Sequence, residues 1–167
     1  MDHWQVFFKD DAEMNRAKRH QLERVITIFP WIATIDKFQH WIYENPNHTV
    51  EERSINWLKI LNEFSSKAID FSGLDAYRSY SWQKQLHLFE VPFYYIEYGI
   101  AQLGAIGMWM QYKENASKGL DNYIKALSLG GTKTLPVLYQ NAGIELTFDK
   151  TSMNRLMRFI KKELESL

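Results

Sequence analysis

Apolar residues recur at spacings of three and four along most of the chain, which is the period of an amphipathic helix. The clearest stripes comprise Leu22, Val25, Ile26 and Phe29, then Trp31, Ile35, Phe38 and Ile42, and later Trp57, Leu58, Leu61 and Phe64. No segment alternates between apolar and polar residues over a convincing length. The pattern therefore predicts an all-α fold, an antiparallel helical array, in a single helical domain over residues 1–167.

Local signals set the expected ends of the first helices. Asp10 or Asp11 can cap the helix that follows, because a carboxylate accepts from free backbone N–H groups. Pro30 lacks a backbone donor, so it should kink or restart that helix. Thr49 and Glu52 have the spacing of a capping box, which predicts a new helix directly after Thr49.

The second half of the chain contains one long apolar stretch and several shorter helical segments. The shorter predicted helices span residues 74–88, 118–129, 134–141 and 152–167. Pro92 fits the first turn of a long helix over residues 93–110. That stretch has nearly the length of a membrane span, but Glu97 within it would be costly in lipid. A buried helix is the expectation, in line with a mean hydropathy of −0.39.

Composition narrows the partners and the compartment. The formal net charge is zero and no long basic run occurs, which argues against nucleic acid or an anionic membrane as the main partner. There is no cysteine, so disulfides and thiolate metal sites are excluded. The amino-terminal residues do not resemble a signal peptide. We therefore expect a cytoplasmic protein.

The histidines do not form a zinc-binding helix. None of the five stands four residues from another, so His-Glu-x-x-His is absent. Asp36 with His40, and His87 with Glu90, could each place two ligands on one helical face. Zinc in proteins takes three or four ligands, and no third one suggests itself. We expect no metal bound by this chain.

One group of residues could carry chemistry. His87 precedes three tyrosines, of which Tyr94 and Tyr98 are four apart and Tyr95 and Tyr98 are three apart. Either tyrosine pair would project from one helical face. Phenols can donate to a developing oxyanion, and an imidazole can donate to a carbonyl. The alternative is that these rings only pack the core, since aromatic stripes at helical spacing usually do.

The run 82–105 resembles the C-terminal signature of the oligoendopeptidase F family, a bacterial branch of the thimet-oligopeptidase-like zinc peptidases. Its most specific part is the stretch from His87 to Tyr98, with its spacing of histidine, proline and tyrosines. Segments 29–33, 36–41 and 142–144 are also similar to that family. The resemblance covers essentially the whole chain.

The resemblance implies an all-α fold with a deep substrate channel, one zinc ion and hydrolysis of short peptides. The zinc ligands and the glutamate that acts as general base would lie N-terminal to Met1, outside this chain. By the same resemblance His87 would bind a substrate carbonyl, while Tyr95 and Tyr98 would donate to the tetrahedral oxyanion. Tyr94 is the alternative to Tyr95 as the tyrosine that contacts the substrate.

These implications lead to two hypotheses. In the first, the chain is the C-terminal substrate-binding part of a zinc metalloendopeptidase. It is inactive alone and binds short peptides only when an N-terminal half completes it. In the second, the chain is a stand-alone helical module for self-association or protein binding, which forms a homo-oligomer through the exposed wall of the cleft.

Overall fold

The computed structural model describes all residues 1–167 and contains eight α-helices and no strand. The helices are α1 (Asp11–Glu44), α2 (Val50–Phe64), α3 (Asp75–Arg78), α4 (His87–Glu90), α5 (Ile96–Glu114), α6 (Ala116–Ser128), α7 (Leu135–Asn141) and α8 (Lys150–Glu165). Short 3₁₀ turns occur at Trp4–Val6 and Ser81–Lys84. The predicted all-α fold is confirmed.

Helix α1 runs for 34 residues, or about 51 Å at the usual rise per residue. Asp10 accepts from the backbone N–H of Glu13 at 2.9 Å, so the predicted cap is present. Pro30 lies inside the helix, which continues through it. The expected restart at Pro30 is therefore wrong. The Thr34 hydroxyl donates to the Pro30 carbonyl at 2.8 Å, which is a common use of threonine within a helix.

The capping box of α2 is confirmed. The Glu52 N–H donates to the Thr49 hydroxyl at 3.2 Å, and the Thr49 N–H donates to the Glu52 carboxylate at 2.7 Å. Each interaction satisfies a donor that the helix itself leaves free. Asn115 caps α6 by accepting from the N–H of Lys118 at 3.0 Å.

The chain forms two compact units, one of residues 26–99 and the other of residues 1–25 with 100–167. The core of the first unit consists of Ile35, Phe38, Trp57, Ile60 and Trp82. Phe38 and Trp57 meet edge to face at 4.9 Å between ring centroids. The Trp57 indole donates to the Arg78 carbonyl at 2.8 Å, so this buried ring also satisfies its polar atom.

The other unit is held by apolar packing and by a charged group. Its buried side chains include Leu22, Leu103, Ile106 and Ile160. Lys113 lies 3.0 Å from carboxylate oxygens of both Asp2 and Glu163. The Trp109 indole donates to Asp2 at 2.9 Å. The amino-terminal residues and α8 are therefore both tied to α5. The prediction of a single domain over residues 1–167 stays a prediction.

Helix α5 begins at Ile96, so the expectation that Pro92 occupies its first turn is wrong. The reason is Phe93, whose backbone has a φ of 56° and therefore cannot continue a right-handed helix. Gly99, Leu103 and Ile106 are buried along one face of α5, whereas Ala101 and Ala105 are exposed. No helix combines the length and the apolar character that crossing a bilayer requires.

Candidate functional site

The backbone between α4 and α5 is held by a buried glutamine. Gln39 is 2% exposed, and its side-chain carbonyl accepts from the Phe93 N–H at 2.9 Å. The Phe93 ring packs against His40 at 4.8 Å and Tyr43 at 5.0 Å. These contacts stabilise the left-handed conformation of Phe93, which is unusual for a bulky residue. The chain can thereby turn and bring α4 back against the start of α5.

The turn brings together all four residues predicted for the site. The His87 Nε2 lies 3.1 Å from the Tyr98 hydroxyl. The His87 ring lies edge to face with Tyr95 at 5.0 Å and stacks near Tyr94 at 6.0 Å between centroids. Tyr98 in turn contacts Tyr94 at 5.7 Å and Tyr95 at 5.1 Å. We call His87, Tyr94, Tyr95 and Tyr98 the His–Tyr cluster.

The members of the His–Tyr cluster differ in exposure. Tyr94 is 46% exposed and Tyr98 is 44% exposed, whereas Tyr95 and His87 are half-buried. Tyr94 and Tyr98 therefore do not fill the core, unlike the rings of Phe38 or Trp57. Two phenol groups therefore remain accessible to a ligand, beside a partly buried imidazole.

Burial raises the pKa of Tyr95 above its ordinary value, and a hydrogen bond from Trp31 only partly opposes this shift. Tyr98, a second phenol nearby, adds a smaller contribution in the raising direction. Tyr95 therefore stays protonated at neutral pH and can serve as a hydrogen-bond donor.

Two residues that the sequence did not predict to lie at the site, Gln85 and Trp31, complete the surroundings of His87. The Gln85 side-chain nitrogen lies 2.6 Å from Nδ1 of His87. The Gln85 side-chain oxygen accepts from the Trp31 indole N–H at 3.2 Å. Trp31 is 54 residues from Gln85 along the chain, so no local spacing could have indicated the contact.

The residues present do not fit a zinc site. No three histidine, aspartate or glutamate side chains lie close enough together to hold a metal ion. Asp36 and His40 approach to 3.6 Å, the distance of an ion pair, without a third ligand. Both ring nitrogens of His87 face the side chains of Gln85 and Tyr98. No reaction step can be derived through zinc from these residues.

Exposed phenol hydroxyls beside an imidazole are hydrogen-bond donors of the kind that can contact a carbonyl oxygen. The sequence profile of peptidase family M3 matches residues 1–158, and the chain belongs to this family of peptidases. The chain is 25% identical over 173 residues to an oligoendopeptidase F homolog of Borreliella burgdorferi. The match covers 98% of this chain and 28% of that protein.

Two solved structures are similar to this fold. One is PZ peptidase A with an inhibitor, with a TM-score of 0.84, 31% identity, and coverage of 96% of this chain and 28% of that one. The other is described as an oligoendopeptidase F, with a TM-score of 0.79, 28% identity, and coverage of 91% and 27%. The predicted relationship to oligoendopeptidase F is confirmed. The chain spans little more than a quarter of the length of these relatives.

Proposed function

We propose that this chain supplies the substrate-binding part of a zinc metalloendopeptidase that hydrolyses short peptides. The observation that supports the proposal is the His–Tyr cluster, in which His87 and Tyr98 lie 3.1 Å apart beside exposed tyrosines. Membership of peptidase family M3 supports a peptidase-related role. The proposal assigns the contacts with the peptide to His87, Tyr94, Tyr95 and Tyr98.

The chemistry of the cluster suits a tetrahedral intermediate. Hydroxyl donors that are fixed before the reaction stabilise the negative charge that develops on a carbonyl oxygen. Tyr98 is accessible for this, and Tyr95, whose pKa is raised by burial, carries its proton at neutral pH. Loss of one such donor typically costs about 2.7–4 kcal/mol of transition-state stabilisation, or about 100- to 1000-fold in kcat.

The zinc that the family implies needs ligands from outside these residues. In this proposal the chain alone binds no zinc and hydrolyses no peptide. We also propose that the protein acts in the cytoplasm. A chain without cysteine has no disulfide that the reducing conditions there could break. Incubation of the purified chain with zinc and an internally quenched peptide tests the claim of inactivity. Hydrolysis that disappears with a chelator and with His87→Ala would refute it.

A chimera tests the role in substrate binding. In the Borreliella relative, this chain replaces the segment to which it aligns, and hydrolysis of the quenched peptide is measured. We expect Tyr98→Phe in the chimera to lower kcat about 100-fold or more. Tyr80→Phe removes the hydroxyl of another exposed tyrosine and should leave kcat unchanged. Equal activity of both variants would contradict the proposal.

The second hypothesis, self-association through an exposed surface, is favoured by one observation. Helix α6 exposes Leu120, Tyr123, Ile124 and Leu127, and Tyr123 and Leu127 border an apolar groove of about 520 Å³. Exposed apolar patches of this kind often mark interfaces. Sedimentation of the chain at high concentration tests for an oligomer that Leu127→Glu dissociates and Leu74→Glu does not. A strict monomer would exclude this hypothesis.

A further inference from the structure

We infer that Trp31 and Gln85 are positioning residues that hold His87 in the neutral tautomer with its proton on Nε2. The effect is to leave the hydroxyl hydrogen of Tyr98 free to point outward. The inference rests on the proposed function in one respect only: the ligand of Tyr98 is taken to be a peptide carbonyl or the oxyanion derived from it.

The direction of the hydrogen bonds starts at Trp31, whose single indole N–H is shared between the Gln85 side chain and the Tyr95 hydroxyl. An indole N–H only donates, so the atom of Gln85 that faces it at 3.2 Å must be the amide oxygen. The Gln85 amide nitrogen then faces Nδ1 of His87 at 2.6 Å. That nitrogen carries hydrogens and only donates, so Nδ1 must accept and cannot carry a proton.

The tautomer of His87 follows from that contact. A neutral imidazole with a bare Nδ1 carries its hydrogen on Nε2. The Nε2–H therefore donates to the Tyr98 oxygen, which lies 3.1 Å away. The Tyr98 oxygen accepts this bond through one lone pair, so its own hydrogen can be donated to another acceptor. Its side chain is 44% exposed, so that acceptor can come from solvent or from a ligand.

The reverse orientation of the amide is disfavoured by the position of Trp31. A flipped Gln85 would place its NH₂ group against the indole N–H, and two donors would then face each other. Trp31 cannot easily turn away, because its ring packs edge to face on the core residue Trp57 at 5.9 Å. The Lys84 ammonium also lies over the Trp31 ring at 5.0 Å. The indole thus selects the orientation of the amide.

The outcome is a chain of hydrogen bonds that all run in one direction, from Trp31 through Gln85 and His87 to Tyr98. Successive bonds with the same direction polarise and strengthen one another. The terminal group, the Tyr98 hydroxyl, is therefore a better donor than an isolated phenol. It offers a donor to ligands that present an acceptor, such as a carbonyl oxygen.

Long-range ¹H–¹⁵N NMR of the labelled chain reads the tautomer directly. The spectrum is recorded without peptide or zinc at about pH 8.5, where an ordinary imidazole is neutral. His87→Asn identifies the signals of His87 among those of the five histidines. We expect Nε2 to show the shift of a protonated ring nitrogen and Nδ1 that of an unprotonated one.

Gln85→Glu should reverse the state of Nδ1. A carboxylate accepts from Trp31 as the amide oxygen did, but it also accepts from Nδ1, so Nδ1 becomes protonated. Gln83→Glu adds the same charge at an exposed position two residues away and should change neither nitrogen. Trp31→Phe removes the group that orients the amide and should yield a mixture of both tautomers.

Two results would overturn the inference. One is a wild-type His87 that carries its proton on Nδ1, a result that requires no variant to fold. The other is an unprotonated Nδ1 in a folded Gln85→Glu variant. Neither result depends on peptide hydrolysis. The chimera can therefore disprove the proposed function while the tautomer is as inferred. Likewise, the tautomer can differ from the inference while the chimera supports the proposed function.

Discussion

At the scale of single residues, Gln39 is the polar side chain that matters most for the backbone around the site. Its oxygen accepts from the Phe93 N–H at 2.9 Å, whereas its buried nitrogen has no protein partner. A buried amide that satisfies only one of its polar atoms is costly. Its presence in the core is explained by the support that it gives to the unusual conformation of Phe93.

Replacement of Gln39 by leucine should lower the free energy of unfolding by about 1 kcal/mol, near the lower end of what an unpaired buried donor costs. The Phe93 N–H loses its acceptor, but the change also removes the unpaired amide nitrogen. Urea denaturation monitored by tryptophan fluorescence measures the effect. Gln83→Leu, at an exposed site, is the control and should leave the midpoint unchanged. A midpoint for Gln39→Leu equal to wild type would contradict this account.

At the scale of elements, the start of α8 depends on one aspartate. Asp149 accepts from the backbone N–H groups of Thr151 at 2.7 Å and Ser152 at 3.0 Å, and from the Thr147 hydroxyl at 2.7 Å. These hydrogen bonds, with that from Thr147 the strongest influence, hold the pKa of Asp149 well below its ordinary range. The ionised carboxylate also suits the positive end of the helix dipole.

Asp149→Ala should therefore destabilise the protein in a pH-dependent way. A carboxyl group whose pKa is lower in the folded state stabilises that state fully above its unfolded pKa of about 4. The contribution decreases as the pH falls towards the folded pKa. The difference in urea midpoint between wild type and Asp149→Ala should be large at neutral pH and smaller at about pH 2. A difference for Asp149→Ala that is constant with pH would exclude the mechanism.

At the scale of the whole molecule, the packing of α5 against α6 depends on a glycine that permits close approach. A Cβ atom on Gly119 would lie 2.8 Å from the Cα of Tyr112 and 2.9 Å from its nitrogen. Backbone atoms cannot move aside as a flexible side chain can. By contrast, a Cβ on Gly99 would meet the Ile32 side chain at 3.4 Å, an ordinary contact.

The two glycines should respond to alanine in opposite directions. Gly119→Ala should lower the free energy of unfolding by about 1–3 kcal/mol, because the helices must separate or bend. Gly99→Ala should leave it unchanged or raise it by about 0.5–1 kcal/mol, since alanine favours the helix. Thermal unfolding followed by circular dichroism compares the two variants. A Gly119→Ala protein as stable as Gly99→Ala would show that the close approach is unimportant.

The sequence predicts those features that neighbouring residues determine. The capping box at Thr49 and the cap at Asp10 are of this kind, because the groups involved lie three residues apart. The start of α5 is not, since the contact between Gln39 and Phe93 joins residues 54 positions apart. The roles of Trp31 and Gln85 depend on an equally distant contact. The members of the His–Tyr cluster were found from their spacing and from a family resemblance.

Position 93 also constrains how this sequence can drift over evolutionary time. Glycine or asparagine would suit the positive φ at this position but would lose the contacts that the Phe93 ring makes with His40 and Tyr43. Valine or isoleucine would satisfy neither demand, because branching at Cβ makes a positive φ still less accessible. Any lineage that replaces Phe93 must therefore change its neighbours as well, so residues 39, 40, 43 and 93 should vary together.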